Sequence, residues 1–173
     1  MALEKDKAEC CYALWRALNA KRVVECGTSY GVSTLYLAAA IRDNVLADGG
    51  QGVVIGTEHE PAKAQVARRN FAAAGLEHYI DLCEGDLAHT LAYIEGPLDF
   101  VLFAIWTEAV MPAIRNIAPR LRRGAILVAD NSVQSRRGYE AYFGYFAYIA
   151  DPANGLRTLT LPFVGGLEMT VKA

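Results

Sequence analysis

The stretch Val23-Val24-Glu25-Cys26-Gly27-Thr28-Ser29-Tyr30-Gly31-Val32-Ser33-Thr34 decides the fold. An apolar, β-branched start passes through two glycines into a segment with helical spacing, so it reads as a buried strand, a tight turn and a helix start. Such a turn is a ligand site. Gly27 and Gly31 permit close backbone approach, and the unpaired N–H groups at the helix start can receive a carboxylate or a phosphate. Ser33 adds a hydroxyl there, and Ser29 lies within the turn. A nicotinamide fingerprint needs G-x-G-x-x-G, whereas here three residues separate the glycines and an acid stands two residues before the first, which argues against NAD.

Outward from this turn, apolar β-rich runs alternate with helical patterns. Residues 22–26, 52–57, 79–83, 100–104, 125–129, 156–161 and 167–171 read as seven strands. Helical stretches lie between the first five, the βαβ alternation of a parallel sheet covered on both faces. The last two runs are separated only by Pro162-Phe163-Val164-Gly165-Gly166, a link short enough for an antiparallel pair at one end of the sheet. The expected fold is therefore α/β, a Rossmann-like doubly wound sheet, mostly parallel with an antiparallel last strand. It forms a single domain over residues 1–173, in which 1–20 supply an N-terminal helix.

Local signals place the helices. Pro61 suits a first helical turn and Gly75 a helix end, while Met111, Ile114, Ile117, Ala118 and Leu121 recur on one face of a helix that Pro119 should end early. Residues 43–52, with Gly49, Gly50 and Gly52, read as a surface loop. Tyr139, Tyr142, Phe143, Tyr145, Phe146 and Tyr148 crowd one helix after the fifth strand, part core and part acceptor pocket or subunit interface. Arg136 and Arg137 before it read as solvated loop arginines, with reception of an acidic substrate as the alternative, and Arg120, Arg122 and Arg123 as complements to a helix C-terminus.

Composition narrows the partners. The 173-residue chain is 53% hydrophobic and 21% charged, too apolar for disorder, and it lacks an uncharged run long enough to span a membrane. Its formal net charge of -2 offers no long-range attraction to nucleic acid or to an anionic membrane, so neither is an expected partner. The start Met1-Ala2-Leu3-Glu4-Lys5-Asp6-Lys7 has no apolar signal core, and the expected location is cytoplasmic. Cys10, Cys11, Cys26 and Cys83 form no C-x-x-C pair and read as reduced, mostly buried thiols rather than zinc ligands.

The pattern E-x-G-x-x-x-G-x-S after the first strand resembles the cofactor loop of class I S-adenosylmethionine-dependent methyltransferases. Asp99-Phe100-Val101-Leu102-Phe103, Ile105-Trp106, the run Arg123 through Asp130-Asn131, and Gly166-Leu167-Glu168 resemble, in that order, the catechol O-methyltransferase-like branch. The resemblance implies S-adenosylmethionine as cofactor, with Glu25 and Ser33 at its amino-acid end, Gly27 and Gly31 making room for it, and Ser29 among the cofactor-binding residues. A carboxylate suits the cofactor's ammonium, although a solvated or capping glutamate is the alternative for Glu25. Glu58, ending the second strand, is where an acid takes the ribose hydroxyls of nucleotide ligands. His59 borders the adenine or stands as a loop histidine. Asp86 accepts the adenine amino group, caps the following helix, or does both.

At the catalytic end the sequence departs from the family. The resemblance places a metal-binding aspartate where Ala104 stands and a general-base lysine where Thr107 stands. Asp130 and Asn131 match two remaining metal ligands, but two make a weak magnesium site, so no tightly bound metal is expected. Asp130 and Asn131 then act directly on the acceptor, Trp106 faces it, and Glu168 helps position its hydroxyl. For Trp106 packing, and for Glu168 solvent exposure, are the alternatives. The expected function is methyl transfer to a small-molecule acceptor, through an oxygen nucleophile; a cofactor-binding module without catalysis is the alternative. Relatives carry more helix before the cofactor loop, which leaves the acceptor site open or covered by a second subunit in a homodimer.

Overall fold

Strands β1 (Arg22–Cys26), β2 (Val53–Glu58), β3 (Ile80–Glu84), β4 (Leu98–Phe103), β5 (Leu121–Asp130), β6 (Leu156–Leu161) and β7 (Leu167–Lys172) form one sheet in the order β3-β2-β1-β4-β5-β7-β6. The computed structural model describes residues 3–105 and 108–173, the side chain of residue 141 excepted. β1 to β5 are parallel, and β7 runs antiparallel to both β5 and β6, between which it inserts. The short 162–166 link permits only that hairpin. The doubly wound architecture and the antiparallel last strand follow the sequence reading.

Helices α1 (Lys5–Ala17), α2 (Val32–Asp48) and α3 (Pro61–Ala73) precede β3; α4 (Leu87–Ala92), α5 (Val110–Ile117), α6 (Ser132–Gly138) and α7 (Glu140–Ala150) follow it. Trp15, Leu37 and Ile41 pack on Phe100, Leu102 and Val128 on one face of the sheet. On the other face Val101, Phe103 and Leu127 meet Leu91, Ile114 and Tyr145. Burial on both faces explains why the central strands read as continuous apolar runs rather than alternating ones. The chain reverses its winding between β1 and β4, which puts a crevice at their C-terminal ends.

Several boundaries differ from the sequence reading. Helix α2 runs to Asp48 because nothing breaks it before Gly49 and Gly50, both at positive φ, so the 43–52 loop shrinks to its glycines. β5 begins at Leu121, before the 125–129 run read from the sequence, because the β4–β5 register shifts between Leu98 and Phe100 and Gly124 at φ 75° absorbs the irregularity. Pro119 does end α5, in a 3-10 turn over Ala118–Arg120. The aromatic segment is preceded by a separate helix, α6, broken from α7 at Tyr139, so Arg136 and Arg137 are helical rather than loop residues. All four cysteines are free, and burial pushes the Cys11 and Cys26 thiols up, which suits inert reduced groups. No described helix is long and apolar enough to cross a membrane.

Candidate functional site

The loop after β1 is built by three left-handed residues, Gly27 (φ 95°), Ser29 (φ 51°) and Gly31 (φ 87°). It is laced to β2: the Thr28 N–H donates to the Thr57 carbonyl at 2.8 Å, and the Gly27 N–H to Thr57 Oγ1 at 3.2 Å. A Cβ on Gly27 would stand 2.9 Å from both the Ala104 carbonyl oxygen and Ile105 Cγ2. Gly27 therefore lets the ends of β1 and β4 close the floor of a cleft of about 460 Å³, which Glu58, His59 and Asp86 also line. Gly31 has a different duty. Its Cβ would fall 2.4 Å from Phe71 Cε1, so this glycine makes room for α3 rather than for a ligand, a correction to the sequence reading.

Glu25 lies wholly buried behind the loop and does not line the cleft. Its Oε2 accepts from the Thr28 hydroxyl at 3.0 Å and the Thr34 hydroxyl at 2.5 Å, pinning both ends of the turn. Oε1 has no hydrogen-bond partner of ordinary geometry among the described residues. Burial pushes this carboxyl up from its ordinary range; the hydroxyls of Ser33, Thr34 and Thr28 pull it partly back, and the charge of Glu58 raises it again. Ser33 is buried with it.

Glu58 is the carboxylate that faces the cleft. Its Oε2 accepts from the Ser29 N–H at 2.7 Å and its Oε1 from the Glu60 N–H at 2.8 Å, so the backbone fixes the group while each oxygen keeps a lone pair. His59 is exposed at the rim. Asp86 caps α4, accepting from the Ala88 N–H at 2.9 Å and the His89 N–H at 3.3 Å, and it also lines the cleft.

Asp130 and Asn131 end β5, with Asn131 left-handed at φ 52°. Asp130 Oδ1 accepts from the Asn131 N–H at 2.7 Å, and Oδ2 from Asn131 Nδ2 at 2.9 Å. The residue missed in the sequence is Lys7 of α1. Its Nζ stands 2.7 Å from Asp130 Oδ1, 3.4 Å from Asn131 Oδ1 and 2.6 Å from Glu4 Oε2, with the side chain 1% exposed. Burial works against the charge, but Asp130 and Glu4 outweigh it and hold Lys7 above the ordinary lysine range. A signal existed: Lys7, Cys11 and Trp15 recur every four residues on the buried stripe of α1. Thr28, Thr34 and Thr57 were also missed, since short hydroxyl residues near a turn carry no signature of which carboxylate or carbonyl they meet.

Glu168 does not join this group. It pairs in register with Ala129, one residue out of phase with Asp130, and so lies on the opposite face of the sheet. It is 1% exposed, accepts from the Thr158 and Thr160 hydroxyls, each at 2.6 Å, and pairs with Arg136 at 3.2 Å, whose guanidinium lies 4.1 Å over the Phe146 ring. Neither acceptor positioning nor solvent exposure describes it; it anchors α6 and β6 to β7. Tyr142, Tyr145 and Phe146 are buried core, and the Tyr142 hydroxyl donates to the Ile105 carbonyl at the end of the cleft floor. Trp106, with Thr107, lies outside the described residues.

Residues 24–132 match the family described as Methyltransferase domain. The chain is 34% identical over 119 residues to a catechol O-methyltransferase of Mycobacterium tuberculosis (strain ATCC 25618 / H37Rv), covering 68% of this chain and 51% of that protein. It is 30% identical over 124 residues to a catechol O-methyltransferase of Niastella koreensis, covering 67% and 51%. The chain thus spans about half the length of the curated relatives it matches. The cofactor-bound crystal structure of Rv0187 from MTB superposes with a TM-score of 0.85 at 27% identity, covering 99% of this chain and 82% of that one. The O-methyltransferase TomG from Streptomyces achromogenes, solved in complex with SAM, shares the fold at a TM-score of 0.86 and 20% identity, with coverage of 99% and 82%.

Proposed function

We infer the function from the family: this chain belongs to the methyltransferase domain family, and its cleft fits S-adenosylmethionine, whose methyl group it passes to an oxygen of a small-molecule acceptor. The observation that carries this is the pairing of Glu58 with the Gly27 floor. A backbone-fixed carboxylate with spare lone pairs, at the end of the second strand, suits two vicinal ribose hydroxyls. Below it, Gly27 without a side chain lets Ala104 and Ile105 close against the loop, which gives the cleft an unbroken floor for the ligand to lie on. His59 and Asp86 stand at the end suited to the base. Glu25, Gly31 and Ser33 act through the loop, whose shape they hold from behind the cleft. When bound, this cofactor supplies a methyl group on a sulfonium, an electrophile that requires chiefly an aligned nucleophile and a dry pocket.

On the acceptor side, Asp130 Oδ2 takes one hydrogen bond, from the Asn131 amide, and retains a lone pair for an acceptor hydroxyl. Trp106 supplies an aromatic face for that acceptor in this reading, while Glu168 is left with its structural role. The acceptor class draws on the catechol O-methyltransferases that the chain resembles. Calorimetric titration with S-adenosylmethionine, followed by assay of S-adenosylhomocysteine formation with catechol and simple phenols and alcohols, tests the reading. Binding with turnover is the expected result. Absence of binding overturns it, and binding without turnover on any acceptor turns the chain into a binding module.

A further inference from the structure

We propose that Lys7 is the resident cation of the acceptor site: its ammonium occupies the position between Asp130 and Asn131 that the family pattern gives to a divalent metal, and it positions Asp130 in that metal's place. What the site does rests on the function inferred above; which cation it holds rests on geometry alone.

The residues present do not fit a divalent ion. The family's aspartate on the fourth strand is Ala104, which offers no carboxylate. Of the two remaining candidates, Asp130 Oδ1 is taken by Lys7 Nζ at 2.7 Å and by the Asn131 N–H at 2.7 Å, and Asn131 Oδ1 faces the same ammonium at 3.4 Å. Glu168, the further acid that the family resemblance brings to the site, points to the opposite face and is bound by Thr158, Thr160 and Arg136, while Glu4 Oε2 is itself taken by Lys7 Nζ at 2.6 Å. A magnesium ion needs about six oxygens near 2.0–2.1 Å, several of them water, and would have to seat itself beside a buried positive charge.

Lys7 is held there by construction rather than by chance rotamer. Its stem lies on the stripe that α1 buries, in line with Cys11 and Trp15. Its three N–H donors have three acceptors, on Asp130, Asn131 and Glu4. The 162–166 link roofs the pair: a Cβ on Gly165 would stand 2.4 Å from Asn131 Oδ1 and 3.7 Å from Lys7 Nζ, so only glycine, here at φ 74°, closes over it. The ammonium therefore has no donor left for an acceptor molecule. It acts through Asp130, fixing Oδ1 so that Oδ2 keeps a set direction, which makes Lys7 a positioning residue.

Two measurements on the full chain test this. Manganese titration followed by electron paramagnetic resonance needs no cofactor, so its outcome stands even if S-adenosylmethionine fails to bind. Wild-type protein should leave millimolar Mn2+ free; stoichiometric uptake that Asp130→Asn abolishes overturns the proposal. In turnover, excess EDTA should leave the wild-type rate unchanged. Lys7→Met, which keeps the stem and removes the charge, should lower kcat about a hundredfold, the order expected for an ångström-scale misplacement, with unchanged affinity for S-adenosylmethionine. Lys7→Arg should recover most of that loss. Activity lost on chelation and restored by magnesium, or a folded Lys7→Met with wild-type kcat, overturns it. If Lys7→Met does not fold, the wild-type manganese and EDTA results still decide.

Discussion

At the ends of β1 and β2 a carboxylate is fixed by backbone N–H groups and turned toward a cleft, whereas at the ends of β5 and β7 two carboxylates are held largely by side chains from elsewhere in the chain. Glu58 takes its hydrogen bonds from Ser29 and Glu60, both on the loops that frame the cleft. Asp130 is bound to Lys7 from the N-terminal helix, and Glu168 to two threonines and an arginine. Backbone donors come with the turn and cannot be lost by substitution. Side-chain partners can be exchanged, and a pocket whose charge is balanced that way changes chemistry without changing fold. In the function inferred above, the cofactor end is thus the conservative half, and the side-chain-held region around β5 and β7, with the proposed acceptor end beside it, the adaptable half.

Breaking the cofactor half should produce the largest effect. Gly27→Val adds a branched side chain at φ 95°, against Ala104 and Ile105, with backbone strain of about 1–3 kcal/mol. S-adenosylmethionine binding should fall below calorimetric detection while circular dichroism still reports a folded protein; normal binding would move the cleft floor elsewhere. Glu58→Ala should weaken binding by about 1.5–3 kcal/mol, tenfold to a hundredfold or slightly more. Glu58→Gln separates the two duties of the group, since it retains one acceptor for the loop and loses the charge. An equal loss in both variants would mean that the charge, rather than the loop anchor, carries the affinity.

The adaptable half is sharpened by changes that should spare binding. Glu168→Ala leaves Thr158, Thr160 and Arg136 without their shared acceptor and should cost about 1–3 kcal/mol in denaturant unfolding, with unchanged cofactor affinity. A binding defect as large as that of Glu58→Ala would return Glu168 to the ligand site. The smallest effect belongs to Tyr145, whose buried hydroxyl has no hydrogen-bond partner among the described residues. Tyr145→Phe should raise stability by up to about 1 kcal/mol, read as a higher denaturation midpoint. A loss of stability would reveal a partner for that hydroxyl.

What the sequence made legible follows the same division. Glu58 and Gly27 were readable because strand, turn and helix impose a spacing on them, and the doubly wound sheet then fixes where strand ends meet. Lys7 was not, because its partner lies 123 residues away and no local pattern announces an ion pair at that distance. Only its place on the stripe with Cys11 and Trp15 hinted at burial. Glu168 misled for a related reason. In a strand, a shift of one residue changes the face, and the register of β7 against β5 is set by a hairpin whose pairing the sequence left open. Arg136 reads as a loop residue because the aromatic cluster marks a helix only from Tyr139 onward, whereas α6 already occupies Ser132–Gly138.

The bond between Lys7 and Asp130 also has a consequence in time. Closing so long a stretch of chain carries an entropic cost that only late, non-local pairing can repay, whereas the units holding Gly27, Glu58 and Asp86 are linked by short βαβ steps. On a ribosome, residues 22–86 can begin to order while β5 is still unmade. The N-terminal helix must wait for Asp130 to emerge before its lysine has anywhere to go. Until β5 is made Lys7 has no Asp130 to meet, so this ion pair belongs to the late, non-local contacts of the chain.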